Sequence, residues 1–119
     1  MTTQEVAAQL ADLCRKGEFE KAQKDLYAED VVSIEPFETP GFKKEEKGLD
    51  KIIEKGHSFQ SMVEDIHSIE ISEPLVTGNS FAFSLVMDIT MKGQGRSTMA
   101  EICVYEVKDG KVVSEHFFM

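Results

Sequence analysis

Ser80-Phe81-Ala82-Phe83-Ser84-Leu85-Val86-Met87-Asp88-Ile89-Thr90-Met91-Lys92, followed by Gly93-Gln94-Gly95, is the stretch whose reading decides the fold. It is almost continuously apolar up to the glycine break, and Arg96–Val107 then alternates. Lys108-Asp109-Gly110-Lys111 turns the chain once more into Val112–Met119. The pattern predicts three strands of 8 to 13 residues joined by two tight turns, where five or six residues is usual. Strands of that length bend into a curved sheet, and the hollow of a curved sheet needs filling. Helical patterns upstream supply the filler, and the space they leave is a pocket.

Phe81, Phe83, Leu85, Met87, Ile89 and Met91 share one face of the longest strand, whereas Ala82, Val86 and Asp88 share the other. A sheet with apolar residues on both faces needs cover on both. Helices cover one. A second copy of the chain is expected over the outer face, on Ala82, Val86, Ile102 and Val104, making a homodimer.

The filler comes first in the chain. Thr2 or Thr3 caps a first helix, with Glu5 placed for a capping box, and Val6, Leu10, Leu13 and Cys14 recur at helical spacing until Gly17 stops them. A second helix is expected from Phe19 to Tyr27, then a strand over Val31–Glu35 that Pro36 closes. Phe37–Lys47 reads as the longest irregular piece. A third helix runs from Gly48 to about Glu64 on a stripe of Leu49, Ile52, Ile53, Phe59, Met62 and Val63. Gly56 inside it costs roughly 1 kcal/mol relative to Ala, so a kink or a packing reason is expected there. Ile66–Ser72 is a strand, Glu73-Pro74 a bend and Thr77-Gly78-Asn79 a hairpin turn. Helices that precede a mostly antiparallel sheet and pack on it define an α+β fold.

With 119 residues the chain makes one domain, residues 1–119, with a single core. A net charge of −9 and an isoelectric point near 4.8 repel phosphate backbones and anionic membranes, so neither nucleic acid nor membrane is an expected partner. No apolar run reaches the length of a membrane span, and Met-Thr-Thr-Gln-Glu lacks the features of a secretion signal. Cys14 and Cys103 have no metal-type spacing and suit a reducing, cytoplasmic setting as two small buried thiols, with a disulfide between them left open. His57, His67 and His116 share no ligand spacing, so no metal is expected. No phosphate-cradling glycine loop occurs either, so no cofactor is expected.

Four stretches carry a resemblance: Leu26–Pro36 (Leu-Tyr-Ala-Glu-Asp-Val-Val-Ser-Ile-Glu-Pro), Gly48–Ile53, Asn79–Phe83, and Asp109–His116 (Asp-Gly-Lys-Val-Val-Ser-Glu-His). With the order of elements, they make the whole chain similar to the nuclear transport factor 2-like superfamily, which includes ketosteroid isomerases and SnoaL-like polyketide cyclases. The resemblance implies a cone-shaped α+β roll, also called cystatin-like. It marks the activity weakly, because one fold hosts many functions.

The resemblance also places candidates for chemistry. Glu35 matches the general base of the isomerases. In an apolar hollow its charged form would be disfavoured, which moves its proton affinity toward the useful range. If Phe83, Leu85 and Met87 face the pocket as in the isomerases, the register turns Glu101, Cys103 and Tyr105 inward. The two oxyanion donors of the isomerases are replaced by Leu10 and Cys103, and a thiol is a poor donor, so ketosteroid isomerisation is not implied. The aspartate that follows Glu-His in many cyclases is also missing, since Glu115-His116 runs into Phe117-Phe118-Met119. Tyr27 falls where some isomerases extend their pocket network. His57 and His116 are further acid–base candidates, and His67 is assigned no role.

Three functions are consistent with these residues. The first is a pocket for a small, largely apolar organic molecule, walled by Phe83, Leu85, Met87 and Phe117 and given polarity by Glu35, Glu101, Tyr105 and Glu115, with Cys103 and His57 also in reach. The second is a cofactor-independent isomerase, cyclase or dehydratase with Glu35 as base and Tyr27 or Tyr105 stabilising an oxyanion. The third is a non-catalytic dimeric association domain.

Overall fold

The computed structural model describes residues 1–119. It contains helices α1 (Thr3–Arg15), α2 (Phe19–Leu26) and α3 (Leu49–Met62). The strands are β1 (Tyr27–Ile34), β2 (Glu45–Lys47), β3 (Val63–Ile71), β4 (Leu75–Thr77), β5 (Ser80–Met91), β6 (Gly95–Lys108) and β7 (Lys111–Phe118). The sheet order is β2-β1-β7-β6-β5-β3, with β4 paired to β5 beside that path. Every pairing is antiparallel except β1 with β7. The last strand of the chain therefore lies in the middle of the sheet, against the first.

The local reasons are visible in the sequence. Thr2 and Glu5 form the reciprocal capping box at the start of α1. Asp109 and Gly110 both take positive φ in the two-residue turn between β6 and β7, the combination an Asp-Gly hairpin needs. Along β5 burial alternates strictly, with Phe81, Phe83, Leu85, Met87 and Ile89 buried on the helix side. They join Val6, Leu10, Cys14, Leu26, Ile52 and their neighbours in one core. Arg15, at the end of α1, ties that helix to the far end of β3 by donating to the carbonyls of Ile71 and Ser72.

Several boundaries differ from the sequence reading. The second helix stops at Leu26 and β1 begins at once with Tyr27, because Tyr27 already has extended backbone angles. Likewise α3 ends at Met62 and β3 starts at Val63 with no turn residue between them. The expected irregular segment contains β2, a three-residue strand held only by pairing to Val32–Ile34. Its Glu-Glu-Lys sequence carries no strand pattern. Gly56 is not explained by a packed neighbour: a Cβ there would meet nothing within 4 Å.

Candidate functional site

The concave face of the sheet and the three helices enclose a cavity of about 550 Å³. Its walls are mostly apolar, with Phe19, Phe59, Leu85, Met87, Met99 and Phe117 among them. The bare backbone of Gly56 forms part of the wall from α3, and the segment after β1 adds Phe37, Pro40 and Phe42. The long strands leave this hollow because α1 to α3 fill only part of it.

One side of the cavity carries a continuous hydrogen-bonded chain. The Tyr27 hydroxyl donates to Oε1 of Glu115. Ser33 Oγ donates to Glu115 Oε2 at 2.6 Å, and Lys55 Nζ donates both to Ser33 Oγ at 2.8 Å and to Glu35 Oε1 at 2.8 Å. Three elements converge here: β1 supplies Tyr27 and Ser33 and, just past its end, Glu35, while α3 supplies Lys55 and β7 supplies Glu115. Ser33 and Glu115 are the two fully buried polar residues of the protein. Burial pushes the Glu115 carboxyl above the ordinary carboxylate range, against the opposing pull of Ser33, Tyr27 and Lys55. The same desolvation holds the Tyr27 and Tyr105 hydroxyls protonated.

Glu101 stands apart from that chain. It projects from β6 opposite Leu85 of β5, and its one polar contact is the Cys103 thiol at 3.9 Å. Burial raises its pKa to about 7, and the carboxylates of Glu35 and Glu115 add to the rise while Lys55 and Cys103 oppose it. A carboxyl in this range exchanges its proton near neutral pH. The thiols flanking the site are the opposite case: burial pushes Cys14 up to about 12 and raises Cys103 as well, so both are unreactive and both are unpaired.

Of the residues singled out in the sequence, Glu35, Tyr27, Tyr105, Glu101, Cys103, Glu115, Leu85, Met87, Phe117 and His57 all line the cavity, as do Leu10 and Cys14. Phe83 does not. It is buried beside Phe81 and Tyr105, with ring centroids 6.3 and 5.3 Å away, because the cavity opens only further along β5. His57 lies at the surface, paired with Glu20. His116 stacks on Phe118 at 4.2 Å, on the outer side of β7, and His67 bonds Thr90. Glu35, expected in an apolar hollow, is instead ion-paired with Lys55, whose side chain is 14% exposed. Lys55 and Ser33 are what sequence reading missed. Their signals were present: Lys55 lies three residues after Ile52 and four before Phe59, inside an apolar stripe, and Ser33 shares the inward phase of β1 with Val31.

No group of His, Cys, Asp and Glu side chains is arranged to hold a metal ion, and no helix is long and apolar enough to cross a membrane.

Comparison with known proteins places this geometry. No protein of curated function matches the chain in sequence. Among solved structures, a SnoaL-like polyketide cyclase candidate from Mesorhizobium loti is 31% identical over the whole of both chains, with a TM-score of 0.92. A nuclear transport factor 2-like protein of unknown function from Burkholderia pseudomallei has a TM-score of 0.83 at 13% identity, covering 100% of this chain and 92% of its own. TerC, co-crystallised with polyporic acid, has a TM-score of 0.79 at 14% identity, covering 98% and 90%. The last two likenesses are of fold alone. The sequence profile of the SnoaL-like domain matches residues 1–119, and the chain belongs to the SnoaL-like domain family.

Proposed function

We propose that this protein binds a small, largely apolar organic molecule in the cavity between its helices and the concave face of its sheet. The observation that carries this reading is the cavity itself: about 550 Å³, lined by 32 residues of which 19 are hydrophobic. Ligand sites have this volume and this balance of apolar wall to a few polar groups. An association domain has no use for the hollow, and filling it with side chains would stabilise the fold. TerC supports the reading from outside, as a protein of this fold crystallised with an organic acid. A thermal-shift screen of small hydrophobic molecules tests it, using about 4 °C per kcal/mol as the scale for a chain of 119 residues. A ligand that raises the midpoint in the native protein but not in Leu85→Trp, where the cavity is filled, is the expected result. A screen with no hits abandons the reading.

A second reading, proton-transfer catalysis without a cofactor, is favoured by one observation. Two carboxyls of different character line the same cavity: Glu35 ion-paired to Lys55, and Glu101 with a pKa near 7. Sites whose environments push two titratable groups apart suit acid–base chemistry. In this reading Glu101 shares the proton work first assigned to Glu35, and Tyr105 is the better oxyanion donor, since the Tyr27 hydroxyl is committed to Glu115.

The protein acts as a homodimer in this proposal. Ile102 and Phe118, paired across β6 and β7, are 48 and 47% exposed, on the sheet side away from the helices with the half-buried Ala82, Val86 and Val104. A sedimentation mass near twice 13.4 kDa is expected at micromolar concentration, and a monomer there would remove this part of the proposal.

A further inference from the structure

Six ionisable side chains other than cysteine and tyrosine line the cavity: Glu20, Glu35, Glu101, Glu115, Lys55 and His57. Five of them are answered within the chain. Lys55 pairs with Glu35, Glu20 with Lys24 and His57, and Glu115 accepts from Tyr27 and Ser33. Glu101 has no cation within reach and only a weak thiol donor at 3.9 Å. A carboxylate partly withdrawn from water without a partner is costly.

Its surroundings narrow what the absent partner is. On the inward face of β6 it is flanked by Met99 and Cys103, and Met87, Leu85 and Phe117 come from the adjoining strands. Sulfur and aromatic surfaces are polarisable, and ring faces attract cations. Two residues beyond Cys103, the Tyr105 side chain is only 4% exposed and also lines the cavity. Its hydroxyl neighbours the Cys103 thiol and has no oxygen or nitrogen partner, so a second hydrogen-bonding group is left open. An anion is disfavoured by a chain of net charge −9.

We infer that the cavity takes a protonated amine carried on a small apolar body, the ammonium seated on the Glu101 carboxylate and the body against Met87, Met99 and Phe117. This rests on the small-molecule reading above and names its ligand class. The groups that face Glu101 are Glu35, Glu115, Lys55 and Cys103. Glu35 and Lys55 form one ion pair and cancel each other, and neither Glu115 nor Cys103 brings positive charge, so nothing facing Glu101 repels a cation. Because free Glu101 titrates near 7, it must shed its proton to receive the ammonium. Affinity therefore rises with pH through that value, by about tenfold between pH 6 and pH 8 when the bound complex is fully ionised. The amine stays charged throughout, since alkylamines titrate near pH 10.

The test is calorimetric titration of the native protein with three probes sharing one tail: 4-phenylbutylamine, 4-phenylbutanol and 4-phenylbutyrate. The expected result is binding of the amine at least tenfold tighter than the alcohol at pH 8, about tenfold weaker amine binding at pH 6, and no binding of the carboxylate. In Glu101→Gln the amine's preference and its pH dependence should both vanish while the alcohol still binds, which also shows that the variant is folded. Alcohol binding as tight as amine binding at pH 8, or a flat amine profile in the native protein, overturns the inference and leaves the small-molecule reading standing. Binding of none of the three overturns both.

Discussion

Replacing Lys55 by Met isolates the electrostatic keystone of the site. The methionine keeps most of the stem that packs under Phe117, 6.0 Å from the ammonium to the ring centroid, and removes only the charge. That ammonium makes two short bonds of 2.8 Å, to Ser33 and to Glu35, and is 14% exposed. Removing one partner of a buried pair costs about 3–5 kcal/mol. Glu35 is 25% exposed, so water recovers part of its solvation, and a loss of about 2–3 kcal/mol is expected at pH 7. Chemical denaturation at pH 7 should show this deficit with an unchanged m-value. Adding Glu35→Gln, which removes the carboxylate left without its partner, should recover most of the loss. A deficit under about 0.5 kcal/mol, the size of an ordinary surface change, would refute the reasoning, as would a double variant no more stable than Lys55→Met.

Other outcomes follow from the same geometry. Tyr27→Phe strips the donor from Glu115 Oε1 in a fully buried setting and should cost about 1–3 kcal/mol in denaturant. Glu101 is raised from 4.5 to about 7, so its contribution to stability is present below the unfolded value and lost as pH rises through 7. Glu101→Gln should match the native protein at pH 4 and exceed it by about 2–3 kcal/mol at pH 8, where equal stability would contradict the desolvated carboxyl. Gly56→Ala adds a methyl that meets nothing within 4 Å and projects from a cavity wall. It should raise stability by up to about 1 kcal/mol while weakening any cavity ligand, and destabilisation would show that the glycine has a role in the backbone. A 3-oxo-Δ5-steroid should give no conjugated ketone by ultraviolet absorbance. Leu10 and Cys103 line the cavity where the isomerases hold their oxyanion donors, and one such donor is worth a hundredfold or more. Turnover that disappears in Glu35→Gln would reverse that expectation.

What the sequence determined by itself was whatever depends on neighbours along the chain. The period-two run of β5, the Asp109-Gly110 turn and the capping box of α1 each require only a few consecutive residues, and all three stand in the structure as read. The inward phase of Glu101, Cys103 and Tyr105 followed as well, because the glycine turn before β6 sets the register to β5. The tertiary structure alone decided which distant groups meet. Lys55 reaches Glu35 and Ser33 across 20 and 22 residues, and Tyr27 reaches Glu115 across 88. The parallel seam between β1 and β7 makes that last meeting possible. No local pattern encodes that pairing, since the hydrogen bonds that select it gain their strength in a low-dielectric hollow that exists only once the sheet has closed over the helices. For the same reason the sequence placed Glu35 and Glu101 in one pocket without showing that Lys55 answers the first and leaves the second without a cation.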